Sequence, residues 1–239
     1  MSRTLIIQVS VGNTHGYVYD KIPAAQEAAG LFDQICVPTV KRYADKHGYD
    51  YKMITEYPQD IDITFFNRNT KGVDHDYSKG GKNKCSTLIR YLALDQEDYD
   101  NVVTVDCDVW IPEWAEKLPE INGHMGVQDK GKVWNIPHHG KFINGGVQMV
   151  DQRAGKSLSE FVRDKCKRKE LPPMHTDQAY MNEWRSKNGS ISHVIDKKWN
   201  FMVGCHGRTF DYSDCNFVHY AGGDGRGIFL QDLKKGIIK

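Results

Sequence analysis

Three strand-like runs alternate with helical patterns in the first half of the chain, and this order constrains the fold more than any other feature. The runs cover residues 4–9, 51–55 and 101–105 and are short and enriched in β-branched or aromatic residues. Strands that alternate with helices form βαβ units, whose parallel strands share one sheet. The sequence therefore predicts an α/β fold with a mostly parallel central sheet flanked by helices.

Apolar residues at helical spacing predict helices between these strands and after them. The first helix is expected to begin at Pro38, because proline suits the first turn of a helix, and to end at Gly48. Residues 64–81 are polar and glycine-rich, which indicates a long surface loop of the kind that often acts as a lid. The remaining predicted elements are helices at 82–94, 158–166 and 176–184 and strands at 125–128 and 146–150.

Length and composition limit the class of protein. The 239 residues are long enough to bury a large core, and no repeat or linker divides them, so a single domain is expected. With 32 basic and 31 acidic residues the formal net charge is +1, and charge therefore predicts no nucleic-acid partner. The sequence has no run of about 18 apolar residues that could span a membrane. Scattered cysteines and no recognisable signal peptide favour a soluble, cytoplasmic protein.

The third strand-like run ends in two aspartates, Asp106 and Asp108, which are separated by Cys107. Ligands of open α/β sheets bind beyond the carboxyl ends of the strands. Side chains two residues apart on an extended chain share a face, so both carboxylates can reach one ion. Hard oxygen ligands suit Mg²⁺ or Mn²⁺, whose open positions would take phosphate oxygens. The structural alternative is a solvated strand end with two turn-forming aspartates.

The aspartate pair belongs to an ordered succession of motifs that extends over nearly the whole chain. In chain order the motifs are Lys84 in a predicted helix, Asp106-Cys107-Asp108, Phe142-Ile143-Asn144-Gly145-Gly146-Val147, Asp177-Gln178 and His219-Tyr220-Ala221-Gly222. This succession resembles that of GT-A glycosyltransferases, in particular the glycogenin-like and galactosyltransferase-like groups. The resemblance implies a Rossmann-like GT-A domain, with residues 1–110 as the nucleotide-binding half and residues 111–239 as the sugar- and acceptor-binding half.

The resemblance also implies roles for individual residues. His219 would complete a metal site with Asp106 and Asp108, and Asp177 and Gln178 would face the donor sugar as catalytic residues. The residues expected to bind the donor are Ser10, Val11, Gly12, Lys84, Asp106, Cys107, Asp108, Asn144, Gly145, Gly222 and Arg226. The implied cofactor is Mn²⁺ or Mg²⁺. The implied donor is a nucleoside-diphosphate sugar, either a UDP-sugar or a GDP-sugar.

The last motif departs from the family pattern. The families usually carry a lysine three residues beyond the glycine that corresponds to Gly222, but Gly225 occupies that place here. Arg226 is therefore expected to contact the phosphates from a shifted loop, since a guanidinium suits bidentate phosphate binding. Additional candidates are Trp134, Trp199 and Tyr220 for stacking on a sugar or base, with core packing as the alternative, and His138 and His139 for an acceptor pocket.

The sequence thus predicts a metal-dependent glycosyltransferase that transfers a hexose to a glycan, glycoprotein or other hydroxyl acceptor. Retention of the anomeric configuration is implied by the glycogenin-like resemblance. One alternative is a haloacid-dehalogenase-like phosphatase, in which Asp106 would be the nucleophile and Asp108 the general acid. That motif normally lies on the first strand, whereas about a hundred residues precede it here. The other alternative is a protein that binds nucleotide sugars without turnover.

Overall fold

The computed structural model describes residues 2–11, 23–56, 58–61, 83–129, 142–170, 177–207 and 211–239. The strands in these ranges are β1 (Thr4–Val9), β2 (Asp50–Ile54), β3 (Asn101–Val105), β4 (Val109–Trp110), β5 (His124–Gln128), β6 (Ile143–Asp151), β7 (Ser192–Ile195), β8 (Phe201–Met202) and β9 (Val218–His219). The α-helices are α1 (Pro23–His47), α2 (Asn83–Leu92), α3 (Gln152–Lys167), α4 (Asp177–Lys187) and α5 (Gly222–Lys234). Among the described residues, no helix is both long and apolar enough to cross a membrane.

Six strands form the central sheet in the order β2-β1-β3-β6-β5-β7. Strand β1 pairs in parallel with β2 and β3, and β5 pairs in parallel with β7. Strand β6 runs antiparallel to both of its neighbours, β3 and β5. The other five strands therefore share one direction, and the predicted α/β fold with a mostly parallel sheet is confirmed.

A smaller sheet lies beyond the carboxyl end of β3, with the strand order β4-β9-β8. Val109 of β4 and Met202 of β8 both lie opposite His219 of β9. This register brings the C-terminal part of the chain beside the residues that follow β3. The small sheet therefore places His219 beside the residues that follow the carboxyl end of β3.

Both faces of the central sheet are covered by helices. Neighbouring residues of β1 show this: Ile7 packs in one apolar cluster with α2 and α3, whereas Ile6 packs in another with α1. Both side chains are fully buried, and burial of each stabilises the fold by about 1.5–3 kcal/mol. Because both faces of the central strands β1, β3 and β6 are covered, most of their residues are buried and their apolar residues do not simply alternate with polar ones.

The predicted start of the first helix is wrong. Helix α1 begins at Pro23, and Pro38 lies inside it. Ala28, Phe32, Cys36 and Val40 recur every four residues and are all fully buried, so one apolar face continues past the proline. Burial of that face outweighs the cost of an interior proline, which is about 3 kcal/mol. The predicted end is confirmed, since α1 stops at His47 before a glycine with φ of +70°.

Several predictions concern positions outside the described residues. They are the loop at 64–81, the donor contact of Gly12, and the candidate roles of Trp134, His138 and His139. For Lys84 and Asp177 the backbone is described as part of α2 and α4, whereas the side chains are not.

Candidate metal centre

Three side chains that are distant in sequence meet beyond the end of β3. Asp106, Asp108 and His219 each offer one ligand atom, and these atoms all lie within 4.8 Å of one another. Nε2 of His219 lies 3.2 Å from Oδ1 of Asp108 and 3.9 Å from Oδ2 of Asp106. Asp108 and His219 are buried. The structure therefore brings together the three residues that were predicted to hold a metal ion.

Backbone hydrogen bonds from both sheets hold these three residues in place. The amide of Asp106 donates to the carbonyl of Gly146 on β6 at 2.8 Å, and the amide of Val109 donates to the carbonyl of Asp106 at 3.2 Å. The second bond closes a tight turn through Asp108. Val109 then pairs with His219, which fixes the imidazole beside the turn.

The two neighbouring carboxylates dominate the electrostatic environment of His219. Burial lowers the pKa of His219, but the charge of Asp108, the hydrogen bond to Asp108 and the charge of Asp106 raise it more. The net effect is a pKa above the ordinary value for histidine. A proton on this imidazole is stabilised by the same two carboxylates that would stabilise a cation, so the site favours positive charge.

Cys107 points away from this cluster. Its side chain is buried, and Sγ lies 3.5 Å from the carbonyl oxygen of Val9 at the end of β1. Burial and the neighbouring carboxylates raise the pKa of the thiol, which keeps it protonated. The contact also places the segment after β1 next to the aspartate turn. There Ser10 donates its backbone N–H to Ile54 at 2.9 Å, and Val11 is buried.

The glycines of the Asn144-Gly145-Gly146 motif are explained by close approach of other groups. A Cβ at Gly146 would overlap the His219 ring and lie 2.6 Å from its Nδ1. A Cβ at Gly145 would lie 2.7 Å from the hydroxyl of Tyr91 and 3.0 Å from Cγ of Gln178. Gly146 therefore makes room for the imidazole, and Gly145 lets α2 and α4 approach β6.

The side chain of Asn144 is engaged within the protein. Its Oδ1 accepts from the backbone N–H of Gly146 at 2.8 Å and from Nδ2 of Asn200 at 3.0 Å, and Asn144 is 6% exposed. Nδ2 of Asn144 lies 3.5 Å from Oδ2 of Asp129. A sugar hydroxyl would have to compete with two internal donors for this oxygen, so the predicted donor contact of Asn144 stays a prediction.

Arg90 on α2 is a residue of the site that sequence analysis missed. Its Nη1 lies 2.6 Å from Oδ1 of Asp106 and donates to the carbonyl of Gly145 at 2.7 Å. The motif succession instead indicates Lys84, which lies on the same helix. The available signal was an arginine inside the apolar run Leu88-Ile89-Arg90-Tyr91-Leu92, whose four other residues are all buried. A charge within a buried helix face needs a partner.

Helix α4 brings Gln178 to the same segment of β6. Oε1 of Gln178 accepts from the backbone N–H of Gly145 at 3.0 Å. Asn182, one turn further along α4, accepts from the N–H of Ile143 and donates to its carbonyl, both at 2.9 Å. This paired contact fixes α4 against β6, and it sets the position of Gln178 beside Gly145.

The C-terminal motif differs from the family pattern for a steric reason. Gly222 has φ of +71° at the start of α5. A Cβ at Gly225, where the families carry lysine, would lie 2.5 Å from the carbonyl carbon of Tyr220, so this place excludes any side chain. Arg226 is buried, and its guanidinium lies 5.7 Å from the ring centre of Phe32 on α1. Its predicted phosphate contact stays a prediction.

Two aromatic residues that were candidates for stacking on a ligand belong to the core. Trp199 is 5% exposed and packs edge-on against Phe217 at a centroid distance of 5.7 Å. Tyr220 is fully buried and packs against Phe229 at 5.2 Å. The alternative interpretation, core packing, is therefore correct for both.

The architecture matches solved structures although no family model and no curated protein sequence matches the chain. One similar structure is "a glycosyltransferase involved in the glycosylation of the major capsid of PBCV-1", with a TM-score of 0.56 and 16% identity over 96% of this chain and 98% of that chain. Another is the bifunctional glycosyltransferase WbbM, with a TM-score of 0.50 and 13% identity over 93% of this chain and 46% of that chain. At these identities the likeness shows the fold. The chain therefore has the GT-A fold, and it spans just under half of WbbM.

Proposed function

We propose that this protein is a metal-dependent glycosyltransferase. It transfers a hexose from a nucleoside-diphosphate sugar to a hydroxyl group of a carbohydrate or glycoprotein acceptor. The observation that carries the proposal is the convergence of Asp106, Asp108 and His219 at the carboxyl end of β3 in a GT-A fold. The likeness to a glycosyltransferase of capsid glycosylation, which covers nearly the whole of both chains, supports it.

The donor set fits Mn²⁺ or Mg²⁺. Two carboxylates and one imidazole lie close together, and Gly146 leaves the space that the imidazole needs. Carboxylate oxygens suit hard divalent ions, and an imidazole nitrogen favours Mn²⁺ over Mg²⁺. When bound, the ion would supply Lewis-acid stabilisation of the diphosphate leaving group. A UDP-sugar is the first donor to test, and a GDP-sugar is the second.

Arg90 orients Asp106, one of the three proposed metal ligands. Arg90 binds Oδ1 of Asp106, and Oδ2 of the same carboxylate is the oxygen that lies 3.9 Å from His219. Arg90 therefore fixes the rotation of the carboxylate so that one oxygen faces the other two ligands. A group that holds a ligand in orientation in this way raises the affinity of a metal site without touching the ion.

Gln178 and Asp177 are proposed to face the donor sugar. The amide oxygen of Gln178 is held by the N–H of Gly145, so its amide nitrogen is a donor that a sugar hydroxyl can accept from. We further propose a single domain whose residues 1–110 bind the nucleotide, whereas residues 111–239 bind the sugar and acceptor. Transfer is proposed to retain the anomeric configuration, which NMR of the product would decide.

The test is release of nucleoside diphosphate by the purified protein from a panel of UDP- and GDP-sugars. Release is expected with Mn²⁺ or Mg²⁺ and not with EDTA. Asp108→Asn should lower the rate at least a hundredfold, because it removes a ligand charge. The matched control is Asp232→Asn, which changes another buried carboxylate, one that accepts from Tyr212 and Tyr220.

Two outcomes would contradict the proposal. Rapid hydrolysis of p-nitrophenyl phosphate with Mg²⁺, without sugar transfer, would favour a phosphatase. Tight binding of nucleoside diphosphate without hydrolysis or transfer over a broad acceptor panel would favour a binding protein that lacks turnover.

A further inference from the structure

Two buried side-chain amides, those of Asn144 and Asn200, connect β6 to Nδ1 of His219, the ring nitrogen on the side opposite the two aspartates. Nδ1 of His219 lies 2.9 Å from Oδ1 of Asn200, and Nδ2 of Asn200 lies 3.0 Å from Oδ1 of Asn144. The same oxygen of Asn144 accepts from the backbone N–H of Gly146 at 2.8 Å. Asn200 is fully buried, and His219 is 3% exposed. Water therefore has little access to either end of the contact.

We propose that Asn200 is a positioning residue that fixes the tautomer of His219. An amide oxygen can only accept a hydrogen bond, so Nδ1 is the ring nitrogen that keeps its proton when a cation is bound. Nε2 faces Asp108, at 3.2 Å, and Asp106, at 3.9 Å, and a cation held by these carboxylates would displace the Nε2 proton and bind its lone pair. The inference rests on the proposed function, because it assigns to Asn200 the preparation of a metal ligand.

The orientation of the Asn200 amide follows from the backbone N–H of Gly146, which can donate a hydrogen bond but cannot accept one. A backbone N–H is always a donor, so the atom of Asn144 that faces Gly146 must be the amide oxygen. The group of Asn200 that faces this oxygen must then be its NH₂, which turns its own oxygen towards His219. The carboxylate of Asp129, which accepts from Nδ2 of Asn144, requires the same orientation. The tautomer is thus set by the backbone of β6.

Gly146 has two effects on the same imidazole. Its lack of a side chain makes room for the His219 ring, and its N–H determines the direction of the hydrogen-bond chain. Histidine ligands of metal ions in proteins generally donate their second N–H to a carbonyl or carboxylate oxygen. Here the acceptor is the side-chain amide of Asn200, which is itself held by the side-chain amide of Asn144.

The first test examines the wild-type protein directly. Two-dimensional NMR of ¹⁵N-histidine-labelled protein with saturating Mg²⁺, a diamagnetic ion that offsets the charge of the two aspartates, reports which ring nitrogen carries the proton. The His219 signals are assigned by their loss in His219→Gln. We expect the Nδ1–H tautomer. An Nε2–H tautomer in the wild-type protein would overturn the inference, whatever the activity of the protein.

The second test measures Mn²⁺ affinity by calorimetry. Asn200→Ala should weaken Mn²⁺ binding roughly tenfold to a hundredfold, because the imidazole loses the partner that orients it. Asn200→Asp keeps an oxygen acceptor for Nδ1–H but loses the donor to Asn144, so its affinity should fall less than that of Asn200→Ala. The control is Asn216→Ala, since Asn216 is also buried and contacts Glu116 instead of His219.

The outcomes separate the inference from the proposed function. A folded Asn200→Ala protein with wild-type Mn²⁺ affinity and wild-type tautomer would overturn the role of Asn200 and leave the glycosyltransferase proposal intact. A wild-type protein that shows the Nδ1–H tautomer but binds no Mn²⁺ would instead contradict the proposed function. Equal weakening by Asn216→Ala would also overturn the inference, because the effect would then be structural.

Discussion

Asp106 has two different tasks, and its two oxygens divide them. Oδ1 is bound by Arg90, whereas Oδ2 is the oxygen nearer to His219. The guanidinium therefore offsets part of the charge that the two aspartates concentrate beyond β3. At the same nitrogen Arg90 also donates to the carbonyl of Gly145, so one buried guanidinium connects the candidate metal ligands to the segment that contacts Gln178.

Replacement of Arg90 tests this link. Arg90→Met removes an ion-pair partner from Asp106 and a donor from the carbonyl of Gly145, so the free energy of unfolding should fall by about 2–4 kcal/mol. Urea unfolding measures it. The control is Arg3→Met, because Arg3 forms an exposed pair with Asp50, and a change within about 0.5 kcal/mol is expected. Equal stability of the Arg90 variant and the wild type would contradict the assigned role.

His124 makes stability depend on pH. Burial lowers the pKa of His124 to about 3, although its hydrogen bond with Gln148 opposes the shift. The unfolded chain binds the proton near the ordinary pKa of about 6.5, so the contribution is complete above that pH and is lost as pH falls towards 3. Between pH 7 and pH 5 the loss should be about 2 kcal/mol.

Urea unfolding of the wild type and His124→Gln at pH 7 and pH 5 separates this contribution from the opposite one of His219, whose pKa is raised. The variant should lose about 2 kcal/mol less than the wild type between the two pH values. The control is His193→Gln, since His193 is an exposed neighbour on β7. An identical pH dependence in the wild type and His124→Gln would show that the burial of His124 has no such effect.

At the scale of elements, the strands and helices with strong patterns could be predicted and the direction of strands could not. Strand β3 matches its predicted range to the residue, because a five-residue run rich in β-branched residues favours a strand over a helix. The reversal of β6 leaves no mark on its apolar sequence, since both faces are buried in either direction. Strands β4, β8 and β9 have two residues each, too few for any period to be recognised.

The residues of the candidate site also separate into those that a sequence pattern predicts and those that it does not. Asp106, Asp108 and His219 could be predicted because carboxylates at a strand end and an ordered set of motifs carry a strong signal. The local pattern around Arg90 indicates that this charge needs a partner but not which one, and Asn200 has no comparable signal. The partners of both residues lie 16 or more positions away in the sequence. Pro38 misled the prediction of α1 because local preference was overruled by a buried face.

The packing of β6 against β9 gives a prediction at this scale. Gly146→Ala would place a methyl group in the His219 ring, so the imidazole must move and Mn²⁺ affinity should fall at least tenfold. Gly30→Ala is the control, because nothing lies within 4 Å of a Cβ at this position of α1. That change should raise the free energy of unfolding by about 0.5–1 kcal/mol without altering Mn²⁺ binding. Normal Mn²⁺ binding by Gly146→Ala would contradict the described geometry.

At the scale of the whole molecule, the candidate site is shared between the two halves of the chain. The first half supplies Asp106, Asp108 and Arg90, and the second supplies His219 and Gly146. The two halves are joined through the β3–β6 and β4–β9 pairs. Neither half contains the site alone, so ligand binding should stabilise the complete fold rather than one part of it.

A thermal-shift measurement tests this coupling. The proposed function predicts that Mn²⁺ with UDP binds the folded state only, and at a concentration of about 100 times Kd it should stabilise the protein by about 2.7 kcal/mol. The melting temperature should therefore rise in one cooperative transition. Asp108→Asn should abolish the rise, and Asp232→Asn should preserve it. A rise of the same size in Asp108→Asn would place the ligand elsewhere.

The central claim is that Asp106, Asp108 and His219 hold a divalent ion that carries the donor diphosphate. A crystal soaked with Mn²⁺ and UDP, recorded near the manganese absorption edge, tests it most directly. We predict one anomalous peak at roughly 2.0–2.6 Å from a ligand atom of each of the three residues and from diphosphate oxygen. A site without the peak, or a peak held by other residues, would contradict the account.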